Sequence, residues 1–336
     1  MWTYCVRRIM MGVVVLVGVC TVTFLLARAV PSDPAARWVG PHATAEQIAQ
    51  AAKELALDKP LHVQFWQYIT GLLKGDWGKS IRTHQPVLKD LATYVPASLE
   101  LVLVSTVLAL VVGVPLGTTA AMHKDRWPDH LCRLVSVGSV SLPTFWLAMA
   151  LQFIFFRHLR LLPLGGQMDT MVRLIHPLHR VTGFLVLDCI LTGNKPALAS
   201  ALRHLALPCV TLAAYPVGLV AKMVRSSLIE ILNEDYIRAA RSFGIAERTV
   251  VYSLALKNAL GPTVTVLTLS AGYSLVNTFL IEAIFTWPGL GSYTALSVVT
   301  LDYTAIMGIT IFAACTYVLL NLLADIIISL DPRVRI

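Results

Sequence analysis

Charge is scarce in this chain. Only 14% of its 336 residues are Asp, Glu, Lys or Arg, against about 25% in a soluble globular domain. With 56% hydrophobic residues and a mean hydropathy of +0.70, that shortfall excludes an ordinary water-soluble fold. Cysteines at C-x-x-C spacing are also missing. Cys5, Cys20, Cys132, Cys189, Cys209 and Cys315 are scattered, mostly in apolar runs, and read as small hydrophobes rather than a disulfide framework. No H-E-x-x-H and no G-x-S-x-G occurs. Gly78-Lys79-Ser80 imitates the end of a phosphate-binding loop, but Leu73 stands where its first glycine belongs, and no buried strand precedes it. The chain is therefore expected to be neither an enzyme nor a holder of a cofactor. Its net charge of +8 fits Lys and Arg in cytoplasmic loops better than a nucleic-acid surface.

What the chain has is long apolar runs. Residues 9–30 follow Arg7 and Arg8. At about 1.5 Å per residue they reach across a hydrocarbon core of roughly 30 Å. The rival is a cleaved signal peptide, which Ala27-Arg28-Ala29 imitates, but the run exceeds the usual apolar stretch of about 7–15 residues. Further spans are expected over 99–122, 131–156, 205–223, 262–285 and 303–330, with kinks at Pro115 and Pro143. The class is thus an all-α polytopic membrane protein with six transmembrane helices. His123, Lys124 and Arg126 after the second span, Lys222 and Arg225 after the fourth, and Arg333 and Arg335 at the end put both termini in the cytoplasm.

Four parts follow: a first transmembrane helix over 1–30, an extracytoplasmic amphipathic segment over 31–98, a transmembrane domain over 99–330, and a cytoplasmic tail over 331–336. In the outer segment Thr44 can cap a helix running to Leu57, with Glu46 in its first turn. Residues 57–61 read as a turn. Residues 62–73, with Phe65, Trp66, Tyr68 and Ile69, read as a helix suited to the membrane interface. The loop over 157–203 lies outside, and its apolar run over 181–191 is too short to span. If it did span, every later segment would invert.

The most charge-dense run of the second half lies at 233–262, inside a loop over 229–262. Glu234 and Asp235 complement a positive helix end there. Tyr236, Ile237, Ala240 and Gly244 recur at helical spacing among Arg238, Arg241 and Arg248, and Gly244 stops the helix. Ala239, Ala240 and Gly244 make a small face that lets another surface approach closely, while the arginines can pair with its carboxylates. Composition alone equally fits an ordinary basic cytoplasmic loop. A second distinctive run is Glu282-Ala283-Ile284-Phe285-Thr286-Trp287-Pro288-Gly289-Leu290-Gly291.

The order Asp235-Tyr236-Ile237-Arg238-Ala239-Ala240, Gly244, Ala259, Pro262 resembles the coupling loop of ABC importer permeases of the dipeptide/oligopeptide/nickel permease family. Arg238 stands where the general loop has Glu, and Ser242-Phe243 where Ala-Lys is more usual. The E-x-x-F-x-W-P-G-L-G run from Glu282, Pro31-Ser32-Asp33-Pro34, the Gly75–Ser80 stretch and Thr182-Gly183-Phe184 resemble the same family, which covers nearly the whole chain. The resemblance implies a type I ABC importer permease fold in the bacterial inner membrane. It implies a second homologous permease, two cytoplasmic ATPase subunits that bind ATP and Mg, and an extracytoplasmic substrate-binding protein. It gives Glu234, Asp235, Tyr236, Arg238, Ala239, Ala240, Arg241 and Gly244 as ATPase-coupling residues, and Glu282, Trp287 and Pro288 as gate or path candidates; Asn277, a polar residue within a span, is a further path candidate. Short peptides are the first substrate choice, and nickel or metal–opine chelates the second.

Glu282, Asp325, Asn277 and Asn321 are the main polar residues in the spans. Intramembrane carboxylates are costly and mark function by default. A proton-coupled secondary transporter would use Glu282 or Asp325, but both lie near span ends and no inverted repeat is evident. His158, His176, His179 and His204 cluster in or beside the outer loop. They read either as solvated residues or as a path for a metal, although Pro177 prevents regular helical pairing of His176 and His179.

Overall fold

The protein is described from a computed structural model, which covers residues 2–29, 34–40, 42–54 and 56–330. Pro31-Ser32-Asp33, Leu55 and the tail over 331–336 fall outside those residues, as does the side chain of Asp325. The elements are α1 (Trp2–Ala29), α2 (Pro34–Val39), α3 (Ala45–Glu54), α4 (Leu61–Leu73), α5 (Val87–Met122), α6 (Trp127–Ser141), α7 (Thr144–Leu151), α8 (Thr170–Ile175), α9 (Leu185–Leu191), α10 (Lys195–Ile231), α11 (Asp235–Ser242), α12 (Glu247–Thr249), α13 (Leu256–Ile284), α14 (Leu290–Val299) and α15 (Tyr303–Leu330). A wide π-helical stretch, Gln152–His158, extends α7, and another, Val250–Ala255, joins α12 to α13.

Five helices are long and apolar enough to cross a bilayer: Val6–Ala29, Val87–Met122, Lys195–Ile231, Glu247–Leu275 and Tyr303–Leu323. A sixth span results if α6 and the Thr144–His158 stretch count as one, although they meet at 106°. This corrects the continuous kinked helix expected over 131–156. Pro143 has no N–H to donate and disfavours helical backbone in the residue before it. Leu142 accordingly sits extended, at φ −80° and ψ 125°, and α6 stops one residue earlier.

Other helices outrun their apolar runs. α5 starts at Val87 rather than near residue 99. α10 starts at Lys195, so residues assigned to the outer loop form its first turns, with the Asn194 side chain accepting from Ala197 N–H at 3.2 Å. Hydropathy locates only the stretch matched to lipid. A helix carries on through polar turns as long as its backbone hydrogen bonds continue.

The chain forms two compact units, Met1–Val95 with Gly289–Val318, and Pro96–Pro288 with Leu319–Ile336. In the first, Thr44 and Gln47 form a reciprocal cap at the start of α3, at 3.3 and 2.9 Å. Phe65 and Tyr68 of α4 pack on Phe24 of α1, with ring centroids 5.4 and 5.8 Å apart. They therefore cover the first span, while Trp66 stays exposed. Asp302 caps α15 at Ala305 N–H and accepts from Ser80 Oγ at 2.6 Å and Arg82 N–H at 3.1 Å. Asp90 accepts from Thr83 Oγ1 at 2.6 Å and from the Tyr293 hydroxyl at 2.9 Å.

In the second unit α10 is the hub, packing on α6, α7, α9 and α13. α5 also meets it closely through Gly113 and Gly117, a G-x-x-x-G pair. A Cβ on Gly117 would fall 2.5 Å from the Ala221 carbonyl oxygen and 2.9 Å from Val224 Cβ. Lipid offers no hydrophobic drive for helix association, so such close contact supplies much of the attraction. Gly117→Val is expected to destabilise the chain by about 1–3 kcal/mol or more, read as a lower midpoint for loss of monodisperse protein on heating in detergent. Gly138→Ala, where a Cβ meets nothing within 4 Å, is the control.

Candidate functional site

α11 is short and sealed to its own chain along one side. Ile237 is fully buried and Ala240 nearly so, against Ala121 at the end of α5, Leu228 near the end of α10, and Val250, Val251 and Ala255 of the π stretch. The other side is open: Glu234, Asp235, Tyr236, Arg238, Ala239, Arg241 and Gly244 are exposed. The small face expected from Ala239, Ala240 and Gly244 is thus divided, because Ala240 points into the protein while Ala239 and Gly244 point out. A hundred degrees of rotation per residue makes neighbours diverge, and Ile237 three residues before Ala240 fixes which side is inward.

The end of α11 follows the glycine as expected. Gly244 has φ +75°, and its N–H donates to Arg241 O at 3.0 Å while Ile245 N–H donates to Ala240 O at 3.2 Å, the paired pattern of a Schellman cap. Just before it, Phe243 is 84% exposed. In the sequence Phe243 stands out only as a departure from the usual residue. The Arg241 guanidinium clasps Glu247 in two bonds, 2.7 and 3.1 Å, which raises Arg241 further. Arg238 meets Asp235 at 3.2 Å, and Asn258 Nδ2 donates to the Tyr236 hydroxyl at 2.9 Å.

At the same membrane end, Asp129 of α6 is fully buried. It accepts from Arg225 through Nε and, at 2.8 Å, through Nη2, from Arg133 at 2.7 Å, and from Asp125 N–H at 2.9 Å. In the sequence Arg225 reads only as a topology marker. Asp129 was passed over as one acid among basic neighbours, although its i,i+4 spacing to Arg133 was the available signal.

Two of the four gate candidates, Glu282 and Trp287, are shut away. Glu282 is fully buried and accepts from Ser98 Oγ at 2.5 Å. Trp287 is 1% exposed, and its indole N–H donates to Ala97 O at 3.0 Å. Between them Thr286 takes φ +50°, uncommon for a β-branched residue, and Trp287 N–H bonds Glu282 O at 2.8 Å. Gly166 N–H and the Gln152 amide close on the same turn, at Phe285 O (2.7 Å) and Ile284 O (3.3 Å). Pro288 is exposed, and Asn277 is half-buried with its amide on Tyr273 O of its own helix.

On the outer loop, Asp188 of α9 gathers Thr182 Oγ1 (2.6 Å), Thr182 N–H (2.8 Å), and the N–H groups of Val181 and Gly183 (3.2 Å each). The start of α9 is held by Glu100 of α5, which accepts from Leu185 N–H at 3.2 Å and Val186 N–H at 2.6 Å. Burial alone would raise Asp188, but these donors outweigh it and hold its carboxyl below the ordinary range. Among the described residues no three His, Cys, Asp or Glu side chains gather as a metal site. His158, His176 and His179 are exposed, and His204 is half-buried with Nδ1 2.8 Å from Ser200 O.

A bundle of apolar helices with a seated amphipathic helix between its fourth and fifth spans defines a membrane transport component. The chain belongs to the family described as binding-protein-dependent transport system inner membrane component, which matches residues 113–336, and its N-terminal counterpart matches residues 1–102. It is 41% identical over 99% of its length to the probable D,D-dipeptide transport system permease protein DdpB of Escherichia coli K12, covering 97% of that protein. It is 35% identical, over 100% of both chains, to the dipeptide transport system permease protein DppB of Alkalihalophilus pseudofirmus. It is 34% identical to the glutathione transport system permease protein GsiC of Salmonella paratyphi A, over 100% of this chain and 99% of that one. The protein is therefore a multi-pass inner-membrane component.

Two outcomes test the site. Asp129→Asn leaves Arg225 facing a neutral partner and is expected to cost about 3 kcal/mol, near the lower end for a broken buried pair because Arg225 is partly wet. The paired Asp129→Leu/Arg225→Leu variant is expected to lose less, and thermal midpoints of the purified variants compare them. Asp188 has a folded value below its unfolded one. Its contribution to stability is therefore present above the unfolded pKa, about 3.9, and is lost as pH falls through the folded value. Asp188→Asn is expected to lower the thermal midpoint at neutral pH, and the gap from the native chain should narrow as pH drops below 4.

Proposed function

We propose that this chain is the permease subunit of an ATP-driven importer, forming a path for short peptides together with a second, homologous permease. Two cytoplasmic ATPases bind the coupling helices of the permease pair, α11 being the one in this chain, and an extracytoplasmic binding protein delivers the substrate. Both termini lie in the cytoplasm, and ATP and Mg belong to the ATPases. Peptide rather than nickel is supported by the relatives above, which are named as dipeptide and glutathione permeases and together cover the full chain.

The observation that carries the coupling role is the two-sidedness of α11. Ile237 and Ala240 anchor it to the ends of α5 and α10 and to the π stretch before α13, while Phe243 stands almost wholly exposed beside the capped end. An exposed phenylalanine in a segment that also carries Arg238, Arg241 and Arg248 combines apolar surface with basic residues, the composition of a protein contact. Closure of the ATPase dimer pushes on that contact. The buried side of α11 transmits the push to several helix ends at once, as rigid-body switching requires. The energy comes from the ATPases, so the chain needs no catalytic residue.

Gly244→Trp, the substitution expected to block close approach, also strains a backbone at φ +75°. Phe243→Glu isolates the contact, because nothing packs on that side chain. In proteoliposomes holding the full complex, Phe243→Glu is expected to lower ATP-driven dipeptide uptake by about tenfold or more, as loss of a hot-spot aromatic does. Binding-protein-stimulated hydrolysis should fall with it. Normal uptake by that variant would overturn the assignment of α11 to the ATPases. Uptake that persists without any ATPase and collapses with the proton gradient would favour a secondary transporter.

A further inference from the structure

Three arginines line one cavity at the opposite membrane end from α11. The cavity, about 680 Å³, lies where the π stretch after α7 ends and α10 begins. Arg157, Arg160 and Arg203 border it, with His204, Ser200 and Asp169. None of the three guanidinium groups makes a hydrogen bond or ion pair among the described residues. The other polar groups are already engaged: Ser200 Oγ accepts from Asp169 N–H at 3.0 Å, and Asp169 Oδ1 accepts from Met171 N–H at 2.8 Å. Asp169 is the single acid on the wall, so the cavity is positive overall.

Its remaining lining is apolar, with Phe156, Leu161, Leu162 and Val172. Beyond the rim, Phe153 and Ile154 on the π stretch and Leu202 on α10 are exposed. They belong to segments long and apolar enough to cross a bilayer. Guanidinium groups at a span's end, directly above a greasy flank, meet the headgroup layer. An unpaired arginine fork matches phosphate oxygens in a bidentate manner. A soluble anion would find the arginines but have no use for the apolar flank below them.

We propose that this cavity binds the phosphate headgroup of an anionic phospholipid, with its acyl chains lying along Phe153, Ile154 and Leu202. The lipid joins the end of the bent third span to the start of α10, two segments that meet there across the cavity. Its chemistry is that of a phosphodiester held by arginine, with His204 on the same wall.

The test is native mass spectrometry of the complete complex in detergent, titrated with phosphatidylglycerol, phosphatidylethanolamine or inorganic phosphate. The native chain is expected to retain phosphatidylglycerol at least tenfold more tightly than phosphatidylethanolamine. Arg157→Gln/Arg160→Gln/Arg203→Gln is expected to abolish that preference, while Lys124→Gln/Arg126→Gln at the other membrane end keeps it. The single Arg160→Gln variant, expected to weaken the preference several-fold, supplies the reading if the triple variant does not assemble. An unchanged preference in the arginine variants would overturn the proposal. So would equal loss in the Lys124/Arg126 control, or binding of inorganic phosphate with no lipid preference.

Discussion

A carboxylate taken out of water has to be given donors, or it cannot stay charged. This chain buries Asp90, Glu100, Asp129, Asp188, Glu282 and Asp302; each meets donors, Asp188 from the turn before its own helix and the others from another segment. Asp129 ties α6 to α10 through Arg225, Glu100 ties α5 to α9, and Glu282 ties α13 to α5 through Ser98. Asp302 and Asp90 do the same within the first unit. Between these ties the helices meet through close small-residue contacts such as Gly117 against Ala221. The division of labour follows from the solvent. Lipid leaves dispersion as the main attraction along the spans, while the wetter ends allow charge to choose partners.

The two family-specific runs sit at two such ends and behave differently. The run around Glu282 buries Glu282, Phe285 and Trp287, with Thr286 in the left-handed region turning Trp287 back under Ala97. The run around Tyr236 is closed on one side only. A buried lock and a half-exposed helix are different instruments: the first fixes how helices meet, and the second presents a surface that a partner can push. That contrast explains why one polar motif in a span need not be a proton path.

Much of this was legible in the residues. The start and stop of α11 follow from Glu234, Asp235 and Gly244, because capping is local chemistry. The short outer run stayed below spanning length, and α9 occupies only Leu185–Leu191. What escaped was whatever depends on a distant partner or on competition between rules. Pro143 reads as a kink in isolation, but the 106° break needs the extended Leu142 before it. Asp129 becomes important only once Arg225, 96 residues away, arrives beside it. Ala240 was assigned outward because spacing shows which residues share a face, not which face the bundle covers.

The length of α10 has a mechanical meaning. Its 37 residues, Lys195–Ile231, make a rod of about 55 Å at 1.5 Å per residue. Leu228 near one end rests under α11, and Arg203 near the other borders the arginine cavity. A tilt of about 5° at the α11 end would swing the far end by about 5 Å over that length. The rod is not uniformly stiff, since Pro208 and Pro216 each remove a backbone hydrogen bond from it. Were force to arrive at Leu228, Pro216 would be the first place where the helix could absorb the swing by flexing.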